Sequence, residues 1–482
     1  MSHATRRRPR TPSRGQSRPA VKAPVRAPSA LEQAFAAAEA AAPPEHRTFA
    51  AMGLPQALVT ALERRDIREP FAIQSRTLPD ALAGRDVLGR AQTGSGKTLA
   101  FGLPMLARLI GTQRTNGAPQ GLVLVPTREL ANQVAEALAP LGQAVGLRVA
   151  TVYGGASMSR QITALRRGVD IVIATPGRLL DLIGQGECSL HLVTITVVDE
   201  ADYMADLGFL PVVTEILGQT AADGQRLLFS ATLDNGVDRL VHRFLNDPAT
   251  HAVAPALSQV ATMDHRAFTM QAGDKVNVAA QIAARNGRSL FFVRTKHGAE
   301  RLAKQLRTAG VDAGALHGNL AQNARQRALN AFAAGTSPVL VATDVAARGI
   351  HVDDIDLVVH FDPPADHKDY LHRSGRTARA GASGLVLSLL LPEQQRDAAR
   401  LHGLAGVTPT TTFVRPDHDE VRKLADSGTP VVITARPPAP ASVDRPRNSS
   451  RQGSYPRNIP RQPGYSRGRP RTSGRPAPAR SA

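Results

Sequence analysis

The chain has no tryptophan and a single cysteine among 482 residues. With Cys188 alone, no intrachain disulfide can form, and a reducing compartment is expected. Sets of four Cys and His ligands at finger spacing are missing too, which argues against structural zinc. No apolar run approaches the ~18 residues a membrane span requires. The opening MSHATRRRPRTPSRG is basic, but no apolar segment follows it as in a secretory signal. A cytoplasmic protein with no membrane segment is the expectation. Acids are scarce at both ends. Of the net charge of +19, residues 1–30 hold +8 and residues 436–482 hold +10, leaving +1 for the 405 residues between.

The basicity therefore belongs to two tails. The C-terminal one, RNSSRQGSYPRNIPRQPGYSRGRPRTSGRPAPARS, is Pro-, Gly-, Ser- and Arg-rich and buries too little apolar surface to offset its ordering entropy. Dense arginine with Tyr455 and Tyr465 interleaved for base stacking fits an RNA-binding tail, although a purely solubilising tail has a similar composition.

The body is apolar enough, in a chain 42% hydrophobic, to build large cores, and its length suggests two or three domains. Short β-branched runs alternate with helix-like stretches. Strands are expected at 121–126, 148–155, 170–177, 194–200 and 226–232, then at 289–295, 313–318, 338–344 and 355–362. Buried parallel strands with intervening helices read this way. The division expected is a disordered extension at 1–45, an α/β domain at 46–250, a linker at 251–261, a second α/β domain at 262–414 and an extension at 415–482.

The segment TVVDEADYMADLGFL ends an apolar run at Asp199 and Glu200, with Asp202 following. Carboxylates at the end of a buried strand are costly unless neutralised. Upstream, AQTGSGKT at 91–98 resembles a phosphate-binding loop. Gly94 and Gly96 let backbone N–H groups approach phosphates, Lys97 meets the outer phosphates, and Thr98 can hold Mg²⁺. Ala91 stands where the strict pattern has glycine. Asp199 would then bind the nucleotide's Mg²⁺, directly or through water, and Glu200 would orient and deprotonate the attacking water.

PTREL at 126–130, Gly154-Gly155, TPGR at 175–178, DEAD at 199–202 and SAT at 230–232 follow the loop in order. This set resembles the DEAD-box ATP-dependent RNA helicases across roughly 46–385. The resemblance implies two tandem RecA-like domains, ATP and Mg²⁺ as cofactors, and single-stranded RNA or short duplexes as partners. It implies nucleotide contacts from Ala91, Gln92, Thr93, Gly94, Ser95 and Gly96 of the loop, with Gln74 at the adenine edge and Phe49 in support. Thr127, Arg128, Gly154, Gly155, Thr175 and Arg178 would lie along RNA, joined by Gln322, Arg325 and Thr343 from the second domain. Ser230 and Thr232 would couple hydrolysis to strand separation through Asp202. His372 would organise HRSGRTARAG at 372–381, whose Arg376 and Arg379 would reach the γ-phosphate. The protein would act as a monomer, with ribosome-assembly or RNA-decay proteins as candidate partners.

The chain departs from the family twice. Asp66 and Ile67 stand where a glycine and an aromatic are usual, with Phe71 nearby, and His351 stands where an aspartate is often found. Two readings follow: an RNA-stimulated ATPase and helicase, or an RNA-annealing protein whose nucleotide site is vestigial. Lys97, Glu200 and Arg379 argue for the first; the DEAD and PTREL forms disfavour a DNA helicase.

Overall fold

The computed structural model describes residues 30–41, 48–91, 95–232, 235–253, 263–347, 355–378 and 384–428. Fourteen strands form two parallel sheets of seven. In the first lobe they are β1 (Val87–Arg90), β2 (Gly121–Leu124), β3 (Val149–Val152), β4 (Ile171–Ala174), β5 (Ile195–Asp199), β6 (Gln225–Ser230) and β7 (Ala249–Ala252). In the second they are β8 (Asp264–Thr269), β9 (Arg288–Phe292), β10 (Ala313–Leu316), β11 (Val339–Ala342), β12 (Ile355–His360), β13 (Leu385–Leu390) and β14 (Thr410–Phe413). The first sheet runs β3-β4-β2-β5-β6-β1-β7 and the second β10-β11-β9-β12-β13-β8-β14. Adding seven to each strand of one order gives the other, so the lobes repeat one topology without a close sequence repeat.

The helices include α1 (Ala30–Ala40), α2 (Gln56–Glu63), α3 (Ala72–Leu82), α4 (Lys97–Leu109) and α5 (Arg128–Ala144). Helices cover both faces of each sheet, which is why β2, β4, β5 and β6 are buried end to end. The first sheet separates a cluster around Phe101, Leu138 and Ile173 from one around Leu122, Leu179 and Ile216. The second lobe has its main cluster around Phe291, Leu302 and Val359.

Three boundaries differ from expectation. Residues 30–40, read as disordered, form α1, because an alanine-rich segment has high helix propensity and Phe35 finds an apolar pocket. β7 carries the first lobe to Ala252, inside the stretch read as linker, since Ala249 and Ala252 pack inward. The helix Asp419–Ala425 lies beyond the expected end at 414 but buries Val421 and Leu424 in the second core. The expected linker core at 254–261 and the basic tails lie outside the described residues.

The duplicated topology also duplicates a lysine. Lys97 opens α4 after β1, and Lys275 opens the helix Lys275–Ala283 after β8. Lys275 is 7% exposed, with its Nζ 4.8 Å from the centre of the Phe361 ring. Burial pulls this ammonium below its usual range, against the charges of Asp362 and Glu393.

Candidate functional site

Sheet order delivers the chemistry. β5, β6 and β1 are neighbours, with Arg90 opposite Ser230 and Asp199 opposite Phe229. Their C-terminal ends therefore bring the 199–202 acids, Ser230 and the 91–98 loop side by side. Ligands of open parallel sheets bind at such strand ends. Ala91, at the loop entry, is 3% exposed. Gln92, Thr93, Gly94 and Arg379 lie outside the described residues, as does His351.

Gly96 caps α4 with φ +87°. A Cβ there would come within 2.5 Å of both Gln74 Nε2 and Phe71 Cδ2, so only glycine fits. Lys97 Nζ lies 3.8 Å from Asp199 Oδ1, and both side chains are under a tenth exposed. Burial raises the Asp199 carboxyl to about 6; Lys97 opposes this, while Glu200 and Asp202 add to it. Glu200 adopts φ +53° and ψ +51° between strand and helix. A non-glycine residue held there costs about 1–3 kcal/mol, a strain found at functional turns.

Asp202 ties this turn to SAT. Its Oδ2 accepts from Thr232 N at 2.8 Å and from Thr232 Oγ1 at 2.9 Å. Its own N–H donates to Ser230 Oγ at 3.2 Å, and that hydroxyl donates to Thr232 O at 2.6 Å. Next in chain, the Tyr203 hydroxyl donates to Val345 O in the second lobe at 3.1 Å.

Beside Gly96, Gln74 is 1% exposed. Its Oε1 accepts from Phe71 N at 2.9 Å and its Nε2 donates to Gly96 O at 2.9 Å. The amide keeps one further donor and acceptor position. Phe49, expected to support the nucleotide, is 2% exposed within the first core, so its ring can act only from beneath. Asp66 takes φ +58°, a left-handed conformation Asp tolerates better than most residues, which explains how it replaces glycine. Ile67 packs against the core, whereas Phe71 is 59% exposed beside Gly96 and offers the free aromatic face.

A cavity of about 370 Å³ opens between the lobes. Thr127, Arg128, Gly154, Thr175 and Arg178 line it from the first lobe, and Gln322 and Arg325 from the second. Gly155 has φ +79°, and a Cβ on it would strike Arg128. Thr127 caps α5 by accepting from Leu130 N at 3.2 Å. Thr343 is not among the lining residues; its N–H donates to Leu316 O at 3.2 Å. Arg128 Nη1 donates to Gln322 Oε1 at 3.3 Å, and Arg325 Nε donates to Glu129 Oε1 at 2.8 Å. Sequence reasoning passed over Glu129 and Tyr203, although both sit inside or beside quoted motifs.

In the second lobe, Arg373 grips Asp344 through Nε at 2.5 Å and Nη2 at 2.8 Å, and its guanidinium carbon lies 5.0 Å from the centre of the Phe292 ring. Arg376 is 4% exposed and donates to His372 O at 3.3 Å. Ala378, just before Arg379, has φ +54°, another left-handed non-glycine residue.

Known proteins carry the same plan. The DEAD/DEAH box helicase family profile matches residues 71–240, and that of the helicase conserved C-terminal domain matches 274–381. DEAD-box ATP-dependent RNA helicase CshA of Geobacillus kaustophilus is 38% identical over 363 residues, 75% of this chain and 76% of that protein. Chloroplastic DEAD-box ATP-dependent RNA helicase 3A of Zea mays is 39% identical over 414 residues, 83% of this chain and 54% of the relative, so the chain spans about half its length. S. cerevisiae Dbp5 bound to RNA and ADP BeF3 superimposes with a TM-score of 0.69 at 28% identity, over 78% of this chain and 98% of that one. Motif order, sheet order and these relatives agree, and the chain belongs to the DEAD-box ATP-dependent RNA helicases.

Proposed function

We propose that the chain is an RNA-stimulated ATPase that opens and remodels short RNA duplexes. The observation that carries this reading is the reach of the turn at 199–203. Asp199 faces Lys97, Asp202 holds Ser230 and Thr232, and Tyr203 touches the second lobe and lines the inter-lobe cavity. On this reading one turn would join the nucleotide pocket to the RNA cleft.

Lys97 and the N–H groups at the start of α4 would bind phosphate oxygens, with Gln74 and Phe71 at adenine. The residues fit Mg²⁺. Asp199, Glu200 and Asp202 are all buried near one lysine, and burial raises the Asp199 carboxyl against the pull of Lys97, so a divalent cation there would favour its ionised form. Among the described residues, no three Asp, Glu, His or Cys side chains form a metal cage. Thr98 and Asp199 would therefore share the ion with phosphate oxygens and water. When bound, Mg²⁺ neutralises charge on the phosphates. Glu200, held by its strained backbone at the pocket edge, would take the proton of the attacking water. Arg376 and Arg379 would meet the charge developing on the γ-phosphate across the cleft, which requires the lobes to close.

RNA would enter by the residues lining the cavity, displacing the Arg325–Glu129 and Arg128–Gln322 pairs in favour of phosphate. A ligand shifts closure only by its differential affinity for closed and open states, so ATP and a bent single strand would favour closure together. The strand's path would then be incompatible with an A-form duplex. Mg²⁺ dependence, a monomeric state, a cytoplasmic location and protein partners in ribosome assembly or RNA decay belong to the same reading.

The test is Glu200→Gln. The amide keeps shape but takes no proton. RNA-stimulated phosphate release should nearly vanish while ATP-dependent RNA binding persists. Turnover within a few-fold of the parent would remove Glu200 from this role, and ATP-independent RNA binding with no turnover in the parent would favour the annealing reading.

A further inference from the structure

The helix α1 lies outside both matched family segments, yet it is tied to two walls of the nucleotide pocket. Leu31, Phe35 and Ala38 share one face by their spacing, and Phe35 is 1% exposed in the first lobe's core. Beside them, the Glu39 carboxylate accepts from Arg90 Nη2 at 2.7 Å, with side chains about a quarter exposed. The guanidinium carbon of Arg90 lies 4.8 Å from the centre of the Phe35 ring. Arg90 Nε is buried with no hydrogen-bond partner, so α1 supplies most of what holds this cation. Arg90 ends β1, immediately before the phosphate loop.

The same C-terminal end of α1 is also held by α3. Arg76 donates through Nη1 to Ala38 O at 3.1 Å and through Nη2 to Ala41 O at 2.9 Å, satisfying carbonyls a helix end otherwise leaves open. Arg76 follows Gln74 by two residues, and Gln74 donates to Gly96 O at the far end of the loop. The contacts close a ring: α1, Arg76, Gln74, Gly96, the loop, Arg90, and back to α1.

We propose that α1 is a positioning element for ATP. Phe35 and Glu39 fix Arg90, and Arg76 fixes α1 to the Gln74 helix. Together they set the spacing between loop entry and adenine wall that one ATP must span. α1 touches no reacting atom; it acts through Arg90 and Gln74. The inference rests on the ATP reading above. A helix that only covered apolar surface on β7 would change thermal stability and leave ATP affinity alone.

The experiment compares the full chain, a protein lacking residues 1–29, one lacking 1–41, and full-length Glu39→Gln. ATP KM, kcat at saturating ATP and RNA, and the thermal midpoint are measured for each. Removing 1–41 should raise ATP KM about tenfold with kcat held within about twofold, the equivalent of ~1.4 kcal/mol of binding. Glu39→Gln, whose site is partly exposed and tolerates the change, should raise KM about threefold. Removing only 1–29 should leave KM unchanged. A lower thermal midpoint with KM unchanged in Glu39→Gln, or a KM rise already present without 1–29, would overturn the proposal. Should the shorter protein fail to fold, Glu39→Gln decides alone. No ATP turnover in the full chain would fell the ATP reading and this inference together, whereas an unchanged KM in an active protein fells only the inference.

Discussion

Asp202→Asn should separate ATP hydrolysis from strand separation. The Asp202 carboxylate is 5% exposed and accepts three N–H or O–H groups: Thr232 N and Oγ1 on Oδ2, and Tyr203 N on Oδ1. Asparagine has one acceptor oxygen. If that oxygen faces Thr232, the amide nitrogen meets Tyr203 N–H; if it faces Tyr203, the nitrogen meets Thr232 N–H. Either arrangement sets donor against donor in a buried site. Hydrogen bonds to a charged acceptor contribute about 1.5–3 kcal/mol each, and an orphaned buried donor costs about 1–3 kcal/mol. Loosening of the DEAD–SAT link by about 3 kcal/mol follows, roughly a hundredfold in the population of the linked state. Lys97, Asp199 and Glu200 keep their places, so ATP turnover should fall by only a few-fold. Release of a fluorescent strand from a short duplex should fall by more than tenfold, measured beside phosphate release on the same preparation. Thr232→Val, which loses only the 2.9 Å hydroxyl bond, should give an intermediate loss. Equal proportional losses in both assays would place Asp202 in hydrolysis itself and refute the coupling argument.

Arg379→Ala should lower kcat strongly, by about 10³-fold or more, with little change in ATP KM, because such an arginine acts on transition-state charge; a raised KM at constant kcat would make it a ground-state ligand. Deleting residues 436–482, which carry +10, should weaken RNA binding most at low salt and flatten the log–log salt slope of about −0.7 per neutralised phosphate, with saturated turnover kept; equal slopes would make the tail a solubilising extension only. Acid should destabilise the second lobe. Burial, then the charge of His265, depresses His402 to about 4, and buried His360 is depressed in the same direction, with Arg373, His402 and His265 adding to it. Both pack edge-on to Tyr370, which bonds His265 and presents Arg373 from its helix, while Ser388 faces His402. Their neutral forms are favoured by folding, so the unfolded chain binds more protons. The stabilisation is full above about pH 6.5 and drains as pH falls toward 4, at about 1.4 kcal/mol per unit per histidine. A urea midpoint for the second lobe that holds steady from pH 7 to 5 would refute this.

The strands rich in Val, Ile and Leu were legible because burial on both faces needs continuous apolar sequence. β2, β4, β5 and β11 lie inside the runs expected for them. β1 and β7 were not, since VLGR and ATHA break their apolar pattern with Gly, Arg, Thr and His and owe their place to neighbouring strands. LVLSLL of β13 could equally be a buried helix by pattern alone. At the site, local strings carried the loop, the acids and SAT. They could not announce that Glu129 meets Arg325 across 196 positions, nor that Phe49 faces the core while Phe71 stands exposed beside Gly96. Partners distant in sequence are chosen by topology, and topology is what a single sequence states least directly.

The repeated strand order makes this chain a pseudo-dimer in topology, and one pair of equivalent lysines shows how the two halves differ. Lys97 lies beside a buried acid with the phosphate loop before it, whereas its counterpart Lys275 is stoppered by the ring of Phe361. If ATP binds beside Lys97 as proposed, the ring over Lys275 argues against a second such site, and one nucleotide per chain rather than two is the expected stoichiometry. On that reading the second lobe has no fuel of its own and responds to the nucleotide held by the first.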